Sequence, residues 1–77
     1  MRELVRSNDQ VLINFLVVLL RDAGLSPDLV DQHVSAVEGS IGVLPRRILV
    51  PDEELSRARR ILEDSDLGQW ISSDARR

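Results

Sequence analysis

A broad apolar helix, predicted over residues 9–23, most constrains how this chain of 77 residues can fold. Its apolar positions fill one wide arc of a helical wheel: Val11, Leu12, Ile13, Phe15, Leu16, Val17, Val18, Leu19, Leu20 and Ala23. A helix that covers one face of a small sheet needs an apolar stripe of only about 100°. Because this arc is much wider, part of it should meet another surface, either a loop of the same chain or a second subunit.

Both ends of this helix carry local signals. Ser7 followed by Gln10 fits a capping box, and Asn8 is an alternative N-cap. Gly24 stands where helices commonly end in a left-handed residue. The sequence therefore predicts a helix with a defined start and a defined stop.

Short apolar segments predict three strands, at residues 2–6, 28–34 and 46–50. A long connection, residues 35–45, joins the second strand to the third. Pro51 and the three acidic residues that follow it are typical of a helix start, and that helix runs to about Asp64. Residues 69–72 are a candidate for a short fourth strand.

This order of elements predicts an α+β, ferredoxin-like fold with the order βαββα(β). A right-handed crossover lays the first helix over the sheet and leaves room for a strand between the first two. We expect a three- or four-stranded antiparallel sheet with two helices on one face. Residues 1–68 are predicted to form the single domain, and residues 69–77 a short edge strand and a frayed tail.

Apolar residues are predicted on both faces of the sheet. Ile48 and Val50 share one face of the third strand and Leu49 lies on the other, and Leu4 with Val5 repeats this in the first strand. The face without helices therefore invites a second layer, most simply another copy of the protein. Trp70 is either an interface anchor or a residue that closes its own core. The candidate interface residues are Ile13, Val17, Leu49 and Trp70.

Composition excludes several classes of function. The chain has no cysteine, which rules out disulfides, thiolate metal sites and cysteine nucleophiles. Its net charge is -3, and one Trp, one Phe and no Tyr provide no stacking platform, so nucleic-acid binding is not expected. The apolar stretch of the first helix is too short to span a bilayer, and no signal-peptide pattern precedes it. We therefore expect a cytoplasmic protein without a membrane segment.

A glycine-containing loop beside two arginines is the best candidate for a ligand site. Arginine presents a planar fork to carboxylate or phosphate, which favours a small anion. Strand alternation sends Arg46 and Arg47 to opposite faces, however, and either could instead pair with a local acid such as Glu38 or Asp31. The candidate ligand-binding residues are Glu38, Gly39, Ser40, Gly42, Arg46 and Arg47.

The single histidine gives a weak signal for metal binding or catalysis. Asp31 and His33 share a strand face, and Glu38 is near in sequence, but one imidazole without cysteine is a poor metal signature. Ser35 and Ser40 are near His33, yet serines are common in such loops. We expect no metal, no cofactor and no enzymatic activity, and a His33 that is hydrogen-bonded or exposed.

Several segments together resemble a bacterial family described as prokaryotic signal-transducing proteins. They are Ser7-Asn8-Asp9, the helix end Leu19-Leu20-Arg21-Asp22-Ala23-Gly24, the segment from Glu38 to Arg47, and Leu49-Val50-Pro51. The run Glu-Gly-Ser-x-Gly-x-Leu-Pro-Arg-Arg is the most specific part, and the resemblance covers roughly residues 1 to 64. This chain differs in having Gln10 where proline is common, and in its apolar Ile13 and Val17.

The resemblance implies a ferredoxin-like fold grouped with PII-like proteins and a role in signal transduction. The specific function of the family is unknown, and the resemblance assigns no catalytic residue to this chain. Together with the residues themselves, it leads us to expect a small non-catalytic regulatory or interaction module that forms homo-oligomers. Its partner would be an unidentified protein or a small anionic ligand. The alternative is a sensor that binds a small anionic metabolite or nucleotide at residues 38–47.

Overall fold

The computed structural model of the protein describes residues 1–31 and 46–76. In this part of the chain, the elements follow the predicted order of strand, helix, strand, strand, helix. They are β1 (Arg2–Ser7), α1 (Gln10–Asp22), β2 (Asp28–Asp31), β3 (Arg46–Val50) and α2 (Leu55–Asp64). Short 3-10 turns occupy Asp52–Glu54, Gly68–Trp70 and Ser73–Arg76. The end of the predicted second strand and the connection after it lie outside the described residues.

The three strands form one antiparallel sheet in the order β1-β3-β2. Strand β3 therefore fills the space predicted between the first two strands. Its Ile48 is paired with Val5 of β1 and with Leu29 of β2. Paired residues point to the same face, so Ile48 and its partners define the face that the helices cover. This arrangement confirms the predicted α+β, ferredoxin-like fold.

One hydrophobic core lies between this sheet face and the helices. Helix α1 contributes a buried stripe, α2 contributes Ala58 and Leu62, and β3 contributes Ile48 and Val50. Leu49, between these two β3 residues, is only half-buried. The face that carries Leu49 is therefore the open face of the sheet, as the alternation in β3 predicts.

Strand β1 departs from strict alternation. Its register against β3 shifts between Glu3 and Val5, which leaves Leu4 as an extra residue. A residue inserted in this way changes which face the following side chains occupy. Leu4 and Val5 are both fully buried in the same core. The prediction that these two residues point to opposite faces is therefore wrong.

The N-terminus of α1 is capped by Asp9, which is neither of the two predicted residues. The Asp9 side chain accepts hydrogen bonds from the backbone N–H groups of Val11, at 3.1 Å, and Leu12, at 3.2 Å. Ser7 supports this cap, because its hydroxyl accepts the N–H of Asp9 at 3.0 Å. Asp9, rather than Ser7 or Asn8, thus provides the cap and places a negative charge at the positive end of the helix.

The two helices end in the same motif. At α1, Leu25 donates its N–H to Leu20 O at 3.1 Å, and Gly24, at φ +85°, donates to Arg21 O at 3.0 Å. This pair of bonds is a Schellman motif, and it confirms the predicted left-handed glycine.

At the end of α2, Leu67 donates its N–H to Leu62 O at 2.8 Å and Asp66 donates to Glu63 O at 3.2 Å. The left-handed position here belongs to Asp66, with φ 66°, and not to a glycine. Both helices therefore end in a Schellman motif, but only α1 has glycine, the residue that best tolerates the left-handed position.

Residues 68–76, called here the C-terminal segment, run along the outer edge of β1. Ile71 forms an isolated antiparallel bridge with Val5, and the N–H of Ser72 donates to Leu4 O at 2.7 Å. The predicted fourth strand is thus reduced to one bridge between two 3-10 turns. Within the second turn Ala75 is fully buried, so this part of the segment is packed where the sequence predicts a frayed tail.

Candidate functional site

Most of the predicted ligand-binding segment falls outside the described residues. Glu38, Gly39, Ser40 and Gly42 lie there, as do His33 and the loop serines. Arg46 and Arg47 are described, at the start of β3. Arg47 is paired with Arg6 and Val30, whereas Arg46 is paired with Ser7 and Asp31. Because neighbouring strand residues point to opposite faces, the side chains of Arg46 and Arg47 do not converge on one point.

Arg47 instead joins two residues of β1 on the open face. We call Glu3, Arg6 and Arg47 the arginine cluster. Arg6 donates to Glu3 Oε1 from Nη2 at 3.0 Å and from Nε at 3.3 Å. Arg47 Nη1 lies 3.8 Å from the same oxygen. One carboxylate oxygen therefore serves two guanidinium groups, and the shorter contacts go to Arg6.

The other oxygen of this carboxylate connects the cluster to the C-terminal segment. The Ser72 hydroxyl donates to Glu3 Oε2 at 2.8 Å, in a partly buried environment. Glu3 is itself largely buried, so the geometry of its side chain is held from both sides. Glu3 therefore links Arg6 and Arg47 to residue Ser72 of the C-terminal segment through a single side chain.

Arg47 is the less satisfied of the two arginines. Its Nε atom is buried and makes no hydrogen bond with any described residue. Its Nη1 contact to Glu3, at 3.8 Å, is an ion pair beyond hydrogen-bond distance. A buried donor without a partner is unfavourable, so this guanidinium retains capacity for a further acceptor.

A shallow depression lies over the cluster. It has a volume of about 430 Å³ and is lined by Met1, Arg2, Glu3, Arg6, Arg47 and Leu49. The lining combines three guanidinium groups and one carboxylate with two apolar side chains. Chemically, such a surface suits an anion attached to a small apolar group.

The exposed surface of α1 differs from the predicted interface. Ile13 is fully buried and Val17 is 7% exposed, because both pack into the core of their own chain. Their assignment to an interface is therefore wrong. The large apolar side chains of α1 that reach solvent are Val11, Phe15 and Val18, at 79%, 54% and 57% exposure. We call these three residues the α1 stripe.

The α1 stripe and the buried stripe lie on opposite sides of the helix. Residues 11, 15 and 18 follow the helical spacing i, i+4, i+7. The buried residues follow the spacing i, i+3, i+4, i+7, which is equally typical of one side of a helix: Ile13, Leu16, Val17 and Leu20. A helical wheel that is apolar nearly all round cannot show which stripe faces the sheet. The other two interface candidates remain accessible: Leu49 lies half-buried beside the depression, and Trp70 is 44% exposed.

Comparison with protein-family models gives one finding. Residues 1–66 match the model of a family described as "Putative prokaryotic signal transducing protein". The chain belongs to this family. The match covers β1 through α2 and confirms the resemblance seen in the sequence. No curated protein matches the chain.

The family match ends between Glu3 and its hydrogen-bond partner Ser72 in the sequence. Glu3, Arg6 and Arg47 lie within the matched residues, whereas Ser72 lies beyond them. The bond between Ser72 and Glu3 therefore joins the family domain to a segment that the family model does not include. Sequence reasoning missed Glu3, because nothing in the spacing between residues 3 and 47 indicates that they meet.

Within residues 1–31 and 46–76, no group of three His, Cys, Asp or Glu side chains is placed to hold a metal ion. In the same part of the chain, no helix has the length and apolar character needed to cross a membrane.

Proposed function

We propose that the protein is a small cytoplasmic, non-catalytic regulatory module of bacterial signal transduction, and that it acts as a homo-oligomer. Family membership supports the role in signalling. The observation that supports self-association is the α1 stripe, three large apolar side chains on the side of α1 that faces away from the core. A domain of this size is only marginally stable alone, and small domains without disulfides or metals often gain stability by association.

The α1 stripe suits a symmetric contact. In a two-fold dimer the same patch meets itself, so a stripe centred on Phe15 in one copy would pack against the equivalent stripe of the other. Contiguous apolar surface on a soluble protein commonly marks such an interaction site. Phe15 would then be the central anchor, flanked by Val11 and Val18.

Light scattering coupled to size-exclusion chromatography tests this proposal. At several hundred micromolar, the wild-type protein is expected at twice the mass of one chain or more. Phe15→Glu places a charge in the centre of the α1 stripe and is expected to give a monomer, because a buried unpaired charge is strongly unfavourable. The matched control is Asn14→Glu, the same added charge at an exposed polar position one residue away. It should leave the mass unchanged.

A monomeric wild-type protein at this concentration would contradict self-association. An oligomer that Phe15→Glu leaves intact would contradict the α1 stripe as its interface. In that case, Trp70 and Leu49 are the next side chains to substitute.

A second candidate function is a sensor of a small anionic metabolite or nucleotide, bound at residues 38–47. The observation that favours it is Arg47, the described end of this segment, whose buried Nε has no partner among the described residues. NMR titration against a panel of anionic metabolites and nucleotides tests this function. The absence of any response across the panel would contradict it.

A further inference from the structure

We propose that the arginine cluster binds the phosphate group of a small phosphate monoester, and that binding loosens the C-terminal segment from β1. This inference rests on the second candidate function, the anion sensor. It moves the site from the loop to the open face of the sheet. It also assigns Glu3 the role of an internal anion that the ligand displaces.

The pairing of Arg6 with Arg47 is the first argument. The two residues are directly opposite each other on β1 and β3, and their side chains share the open face. Like charges at directly opposed positions of an antiparallel pair are destabilising. An anion between them removes this penalty, and Glu3 Oε1 now occupies that place. The sheet thus presents two converging cations that require an anion.

The Glu3 carboxylate lies between the two guanidinium groups but contacts them unequally. Its carboxylate is close to Arg6, at 3.0 Å, but distant from Arg47, at 3.8 Å. The buried Nε of Arg47 has no partner among the described residues. A single carboxylate therefore satisfies one guanidinium and leaves the other incompletely satisfied.

The charge of the ligand follows from this competition. A monocarboxylate ligand would offer the arginines the same group as the Glu3 carboxylate. Glu3 would outcompete it, because Glu3 is part of the chain and loses no translational freedom on binding. A phosphate monoester carries a charge of about -1.5 to -2 at pH 7 and three acceptor oxygens, so it can bridge both guanidinium groups. Phosphate therefore gains bonds that Glu3 does not make.

The depression leaves room for more than a phosphate ion. Its volume of about 430 Å³ exceeds that of a phosphate ion and lies in the range of small-molecule sites. Met1 and Leu49 provide apolar walls beside the charged groups. The expected ligand is thus a phosphate attached to a small organic group, rather than inorganic phosphate.

The bond between Glu3 and Ser72 carries the effect to the C-terminal segment. A phosphate on Arg6 and Arg47 displaces the Glu3 carboxylate, which also holds the Ser72 hydroxyl at 2.8 Å. Ser72 is the residue whose N–H donates to Leu4 O, so it anchors residues 68–76 to the edge of β1. Because coupling between two sites is reciprocal, a weaker hold of Ser72 on Glu3 should strengthen phosphate binding.

The experiment is a ¹⁵N-HSQC titration of the full chain with phenyl phosphate, inorganic phosphate and acetate at constant ionic strength. Phenyl phosphate is expected to bind more tightly than inorganic phosphate, and acetate to give no saturable shift. The shifting amides should include those of Glu3, Arg6, Arg47 and Ser72. Folding of each variant is checked by the dispersion of its own spectrum.

Four variants distinguish this site from a merely structural ion pair. Arg47→Gln should weaken phenyl phosphate binding at least tenfold, since a hydrogen bond to a charged group is lost. Glu3→Gln and Ser72→Ala should both tighten binding, because each weakens the internal competitor. The control Arg60→Gln makes the same change on the exposed side of α2 and should have no effect.

Four results would overturn the inference. Equal or weaker binding by Glu3→Gln would show that Glu3 does not compete with the ligand. Shifts at the cluster without shifts at Ser72 would exclude the effect on the C-terminal segment. Binding that is insensitive to Arg47→Gln would place the anion elsewhere and retain the sensor function, whereas no binding of any anion would contradict both.

Discussion

Helices α1 and α2 cover the same sheet and end in the same Schellman motif, but their outer surfaces differ. The exposed residues of α2 are polar or charged: Ser56, Arg57, Arg60, Glu63 and Asp64. The outer surface of α1 instead carries the α1 stripe. Since α2 packs well with only one apolar stripe, folding of the single chain does not require the second stripe of α1. This difference is what makes α1 the better candidate for an interface.

The largest expected effect on the free energy of unfolding comes from truncating a residue of the buried stripe of α1, compared with one of the α1 stripe. Leu16→Ala removes a fully buried side chain and should lower the free energy of unfolding by about 2–5 kcal/mol. Phe15→Ala removes a larger but exposed side chain and should change the stability of the monomer by less than about 0.5 kcal/mol. Urea denaturation at low micromolar concentration measures both. Equal losses for the two variants would contradict the assignment of the inner and outer sides of α1.

The next effect concerns the left-handed residue that ends α1. Gly24→Ala should lower the free energy of unfolding by about 1–2 kcal/mol, because a side chain at φ +85° is strained. A Cβ at Gly24 would meet no atom within 4 Å, so the loss would come from the backbone alone. The control is Gly68→Ala, where φ is not left-handed and the Cβ would lie 3.3 Å from Cγ of Glu63. A larger loss for Gly68→Ala than for Gly24→Ala would refute the backbone explanation.

The smallest effect concerns the equivalent position of α2. Asp66→Gly should raise the free energy of unfolding by about 0.5 kcal/mol, because relief of the left-handed strain exceeds the entropy that glycine loses on folding. Asp64→Gly, two residues earlier and inside the helix, should lower it by about 0.5 kcal/mol. Chemical denaturation of the two variants in parallel compares the signs. If both variants changed the free energy of unfolding in the same direction, helix propensity and not the left-handed position in the Schellman motif would explain the effect.

The sequence predicts the order of the elements because each has strong local signals. Gly24 ends α1 where expected, and Pro51 with its acidic residues precedes α2. The strand pattern of residues 46–50 also predicts correctly that Leu49 lies apart from Ile48 and Val50. These features depend on neighbours within a few residues along the chain, which is the range that sequence patterns report.

Three features that depend on tertiary contacts were not predicted. The buried stripe of α1 could not be told from the exposed one, because both have helical spacing and apolar residues. The extra residue at Leu4 reverses an expectation based on alternation. The pairing of Glu3 with Arg47 and Ser72 joins residues that are distant in sequence, and no local pattern specifies such a contact.

The bridge between Ile71 and Val5 has a consequence for the outer edge of β1. A bare edge strand presents unpaired N–H and C=O groups to which a strand of another molecule can add. Here a single bridge and the bond from Ser72 to Leu4 O occupy part of that edge. Residues 68–76 thus hinder the addition of a further strand at the outer edge of β1. Any event that detaches them would expose a surface for recruiting an extended peptide.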